Sequence, residues 1–96
     1  MQKFQAIIQF TMDDEFMSLV PPHRTYINHL INKNVIDSYG VSMETQTCWI
    51  TINATDKLAV QKILTKSPLF KYWHVQVEHL FVYDSQHYRL PSLVMN

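Results

Sequence analysis

The repeat of the apolar residues switches between a period of two and a helical period several times along this chain, and that succession restricts the fold more than any motif does. Residues 3–12 alternate. Phe4, Ala6, Ile8 and Phe10 point one way, and Gln5, Ile7, Gln9 and Thr11 the other, which predicts a strand with one apolar face. Asp13, Asp14 and Glu15 follow, where the positive end of a helix dipole favours carboxylates. Phe16, Val20, His23, Ile27, Leu30 and Asn34 then recur at steps of three and four, a helical stripe. The stripe stays in phase across Pro21 and Pro22. The spacing therefore predicts one kinked helix, or two short and nearly collinear ones, over about residues 14–33.

Residues 35–43 and 46–54 form a hairpin around Glu44 and Thr45 on the same reasoning. Thr55 can cap a second helix over 56–66, which Pro68 closes. Residues 71–83 alternate again and predict a long last strand. The order βαββαβ implies an α+β, ferredoxin-like fold: a four-stranded antiparallel sheet with both helices on one face.

A length of 96 residues fits one domain, 1–96, and a hydrophobic share of 47% is enough to build its core. Residues 85–96 carry Leu90, Leu93, Val94 and Met95 and are expected to be a tail that docks on something. Eight acidic and eight basic side chains cancel, which argues against nucleic acid or an anionic membrane as the main partner. With Gly40 as the single glycine, a phosphate-cradling glycine loop is excluded. Metal-ligand spacings are absent, so no cofactor is expected. Cys48, the single cysteine, rules out an intrachain disulfide and reads as inert core. No run resembles a signal peptide or a membrane span, and the cytoplasm is the expected location.

The alternation assigns Ala6, Ile8, Phe10, Cys48, Ile50, Ile52, Val75 and Val77 to the helix-covered face of the sheet. The other face would show Gln5, Ile7, Gln9, Thr47, Trp49, Thr51, Tyr72, His74 and Gln76. A solvated face normally carries Lys and Glu. Amides, hydroxyls and rings suit a partner better, and a homodimer packed sheet to sheet is expected, with the tail reaching over the neighbour.

The segment 65–80, TKSPLFKYWHVQVEHL, resembles the final segment of muconolactone isomerase, a P-L-F-x-Y motif followed by an alternating strand. The matching positions are Pro68, Leu69, Phe70, Tyr72, Val77 and Leu80, and residues 47–64 are similar in rhythm. The resemblance covers the second half well, and the first half by length and element order. It implies the dimeric α+β barrel, in which two ferredoxin-like sheets face each other. His23, Tyr26, Ile27 and Leu30 also resemble the first helix of YCII-related proteins, a sister group. The isomerase's Lys/Glu/Asp-rich first helix is replaced here by Val20, Pro21, Pro22, His23 and Arg24.

A break at the prolines can open a pocket beside His23 and expose carbonyls near Ser18 and Leu19 to it. Histidine suits proton transfer near neutral pH, so His23 is the candidate catalytic acid/base. Arg24 at the rim can hold a carboxylate, although it points about 100° away from His23 on an ideal helix. Tyr26, Trp49, Phe70 and Tyr72 are the remaining candidate ligand contacts. The plain alternative for His23 is a core-edge residue bonded to a carbonyl. A metal site from His23, His74 and His79 is disfavoured, because His74 and His79 fall on opposite sheet faces. Two functions follow: a muconolactone isomerase-like, cofactor-free isomerase that moves a proton on a small unsaturated lactone or carboxylate, or a non-catalytic dimer that binds a small aromatic or hydrophobic ligand. An oxygenase of the cofactor-independent kind is a weaker third.

Overall fold

In a computed structural model, residues 1–85 are described. The elements are β1 (Gln2–Phe10), α1 (Phe16–Asn32), β2 (Ile36–Ser42), β3 (Thr47–Ala54), α2 (Lys57–Thr65), a short 3-10 turn (Phe70–Tyr72) and β4 (Trp73–His79). The strands form one antiparallel sheet in the order β2-β3-β1-β4, with β1 and β3 central. This is the expected ferredoxin-like arrangement. The tail residues Leu90, Leu93, Val94 and Met95 lie outside the described residues.

Helix α1 begins where the Asp13 side chain accepts the backbone N–H groups of Glu15 and Phe16 at 3.0 and 3.1 Å. The carboxylate thereby satisfies the Glu15 N–H and shares the Phe16 N–H with the Asp13 carbonyl, which also lies at 3.1 Å. The helix runs on through Pro21 and Pro22 as a single element. It survives two lost backbone donors because Phe16, His23, Ile27 and Leu30 all bury on the sheet. It ends at Lys33, after which Asn34 turns the chain in the left-handed region at φ 63°. Asn34 is exposed and lies past the helix rather than on its stripe.

Three further expectations need correction. Asp56, not Thr55, caps α2, its carboxylate accepting from Ala59 N–H at 2.8 Å. The last strand covers 73–79 rather than 71–83, because residues 70–72 take the 3-10 turn and carry Tyr72 out of the strand. Ser18 and Leu19 do not line the cavity beside His23, although their neighbours Met17 and Val20 do; the Ser18 hydroxyl donates to Glu15 C=O.

The core lies between the helices and one sheet face. Phe4, Ala6, Ile8 and Phe10 of β1 meet Cys48, Ile50, Ile52 and Ala54 of β3, covered by Phe16, Ile27 and Leu30 of α1 and Val60 and Leu64 of α2. Ile8, Ile50 and Ile52 are fully buried, each worth about 2 kcal/mol of apolar burial. On the opposite face Ser38, Thr51 and Gln5 form a side-chain ladder across β2, β3 and β1, with both links at 2.9 Å. Trp49 stands on that face beside Ile7 and is 42% exposed. Among the described residues no helix is long and apolar enough to cross a membrane.

Candidate functional site

The N-terminal half of α1 does not close completely on the sheet. Phe16, Met17, Val20, His23 and Arg24 face Tyr39, Val41 and Met43 of β2 and its turn, and Cys48 of β3, across a cavity of about 350 Å³. Phe10, Leu69 and Trp73 complete its wall. Among the described residues, polar lining comes only from His23, Arg24, Tyr39 and Cys48, and no carboxylate lines the cavity. Met17, Val41 and Met43 are exposed at its mouth.

His23 is 1% exposed, yet both ring nitrogens have hydroxyl partners. Nδ1 lies 2.6 Å from Ser67 Oγ, and Nε2 lies 2.8 Å from the Tyr39 hydroxyl. Trp73 meets the ring edge-on at 5.5 Å. Burial, reinforced by the positive charge of Arg24, holds its pKa down at about 4. The imidazole is therefore neutral at pH 7, and it is bonded to hydroxyls rather than to a backbone carbonyl.

Burial also pushes the Tyr39 phenol far above its ordinary range, and the Cys48 thiol up to about 11. The Tyr39 hydroxyl interacts with both the Cys48 thiol and the Arg24 guanidinium. Cys48 is the buried, unreactive core thiol expected, and it also forms part of the cavity wall. The arrangement supplies hydrogen-bond donors and one positive charge inside an apolar enclosure. That suits an oxygen carrying negative charge.

Arg24 joins the site in spite of its helical phase. Its side chain donates to Asn28 Oδ1 at 3.2 Å and lies over the Tyr39 ring, 5.2 Å from the centroid. The length of the side chain offsets the angle between neighbouring helix positions. The other nominated residues stand elsewhere. Tyr26 donates to Ile63 C=O at 2.7 Å, between the helices. Trp49 is on the far face of the sheet. Phe70 packs behind Trp73, at 6.2 Å, and does not line the cavity. Tyr72 donates to Asp13 at 2.7 Å and lies edge-on to Phe16, so it supports the cavity wall from outside. His79 stacks on Phe4 and His74 faces outward, and no three metal-ligating side chains converge among the described residues.

Tyr39 and Ser67 were not nominated from sequence. Tyr39 carries the signal of an aromatic in an otherwise polar strand. Ser67 sits in a turn and meets His23 across 44 positions, which no local pattern reveals. No protein-family model matches this chain, and no curated protein sequence matches it.

Proposed function

We propose that this chain is a muconolactone isomerase-like protein of the dimeric α+β barrel kind, and that its cavity binds a small, mostly apolar molecule by one acidic or enolic oxygen. The observation that carries this reading is the pairing of Tyr39 and Arg24 at the edge of an otherwise apolar enclosure. Apolar walls supply affinity, and a few placed polar groups fix orientation. No cofactor enters. The test is a thermal shift with an aromatic carboxylate against its methyl analogue. The carboxylate should stabilise the protein more, and Arg24→Gln should remove the difference. A protein that responds to neither compound at millimolar concentration does not have this function.

A second reading is supported by the hydroxyl–imidazole–hydroxyl chain of Tyr39, His23 and Ser67. In an isomerase, a proton lifted from a carbon beside a carbonyl would pass to the Tyr39 oxygen as the phenolic proton moves to His23 Nε2. Reversal would return a proton at a different carbon. The enolate formed would offset the low basicity that burial imposes on His23. Turnover of small lactones that falls about a hundredfold to ten-thousandfold in His23→Gln would establish it.

The homodimer belongs to the same proposal. Its support is the sheet face of Gln5, Ile7, Gln9, Thr47, Trp49 and Thr51, whose centre is uncharged around an exposed tryptophan, with Lys3 and Glu78 towards one end.

A further inference from the structure

The hydroxyl partners of His23 fix a direction for the chain they form. Ser67 is buried, and its Oγ accepts the Leu69 N–H at 3.1 Å. Its own proton therefore needs an acceptor. Among the described residues, the one atom beside Ser67 Oγ that can accept is His23 Nδ1, at 2.6 Å. With Nδ1 accepting, a neutral imidazole carries its proton on Nε2 and donates it to the Tyr39 oxygen at 2.8 Å. Arg24 lies over the ring of that same tyrosine, 5.2 Å from its centroid. With its oxygen accepting from Nε2, the Tyr39 hydroxyl points its own proton away from His23, into the cavity that Tyr39 and Cys48 both line. Sulfur is a weak acceptor, and a ligand oxygen there would be a stronger one.

We infer that Leu69 N–H, Ser67, His23 and Tyr39 form a one-way donor chain that presents the Tyr39 O–H to an anionic or enolate oxygen in the cavity, with Ser67 and His23 as positioning residues. Each donor polarises the next, so the terminal O–H is a stronger donor than an isolated phenol. The inference deepens the binding reading and rests on it. It opposes the isomerase reading, which needs a free lone pair on Nε2.

The cavity also sets the size of the ligand. An apolar cavity of about 150 Å³ takes benzene. At about 350 Å³ this one has room for two fused rings. The probes are accordingly 2-naphthoate and 2-methylnaphthalene, of equal shape but with and without an anionic oxygen.

Two-bond proton–nitrogen spectra of the histidine rings in the full ¹⁵N-labelled chain at pH 7, with His23→Gln for assignment, read the tautomer directly. The Nε2–H pattern is expected. An Nδ1–H pattern overturns the inference and favours the isomerase reading. Ser67→Ala should lose the single-tautomer pattern, and an unchanged pattern removes Ser67 from the chain. Tyr39→Phe should weaken 2-naphthoate by about tenfold or more while leaving 2-methylnaphthalene unaffected. Equal affinity of wild type and Tyr39→Phe for 2-naphthoate overturns the donor role. If neither probe binds the wild type, the binding reading itself fails, while the tautomer spectrum still decides the direction of the chain.

Discussion

The Tyr26 hydroxyl donates to the Ile63 carbonyl at 2.7 Å, joining the middle of α1 to the end of α2 across 37 positions. Ile63 C=O is one of the last carbonyls of α2, and Lys66 N–H also reaches it, at 3.4 Å. The Tyr26 bond thus holds the two helices at a fixed offset over the sheet, on the far side of α1 from the cavity. Tyr26→Phe should lower stability by about 1 kcal/mol in denaturant unfolding, the usual worth of a neutral hydrogen bond. It should leave 2-naphthoate affinity unchanged. A loss of affinity without a loss of stability would return Tyr26 to the list of ligand contacts.

The depressed basicity of His23 makes stability depend on pH. The folded pKa is about 4, against an ordinary value of 6.5. Between these values the unfolded chain binds the extra proton, so stability rises with pH. It is fully present above about 6.5 and falls as the pH drops towards 4. The full swing is up to about 3 kcal/mol, from 1.36 kcal/mol per pKa unit. Guanidinium unfolding at pH 7.5, 6, 5 and 4.5 should trace this loss, and His23→Gln should flatten it. An unchanged pH profile in that variant would assign the acid sensitivity to other groups.

The assembly can be tested at Trp49. It stands at the centre of the outer sheet face, paired in register with Ile7 and Gly40. Sedimentation should give about twice the 11.4 kDa chain mass at micromolar concentration. Trp49→Glu should give a monomer, because a carboxylate cannot be buried there without a partner. A wild-type monomer would leave the tryptophan as a solvated side chain and remove the dimer from the proposal.

How much of this was legible in sequence depends on how regular the backbone is. Alternation in residues 3–12 and 47–54 placed Ala6, Ile8, Phe10, Cys48, Ile50 and Ile52 on the core face, because β1 and β3 pair without interruption. The stripe through Pro21 and Pro22 survived because burial of four helix positions outweighs two missing donors. Strand β2 defeats the same reading. Its register slips between Ile36 and Ser38, so Ile36 and Tyr39 both face the core although three positions apart. Strict alternation from Ile36 turns Tyr39 to the outer face, and the hydroxyl that completes the His23 site disappears from view. Ser67 was hidden for a different reason. A turn has no period, and its hydroxyl becomes informative only when the fold carries it to α1.

Gly40 tests the outer face without disturbing the cavity. It sits in β2 opposite Trp49, with no positive φ, and a Cβ there would meet nothing within 4 Å. Nothing in the isolated fold therefore requires glycine. Its cost is the freedom it gives the unfolded chain, so Gly40→Ala should stabilise a monomer by about 0.4–1 kcal/mol. The Trp49→Glu background supplies that monomer, and guanidinium unfolding there should show the gain. In the dimer the added methyl would project from the outer face into the packed partner sheet, next to the tryptophan. The same substitution in the Trp49 background should then weaken assembly, read as a rise in the dimer dissociation constant by sedimentation, while the fold itself becomes no less stable. If Gly40→Ala stabilises both backgrounds equally and leaves assembly untouched, the outer face is not where two copies meet, and the glycine is simply a weak point in an edge strand.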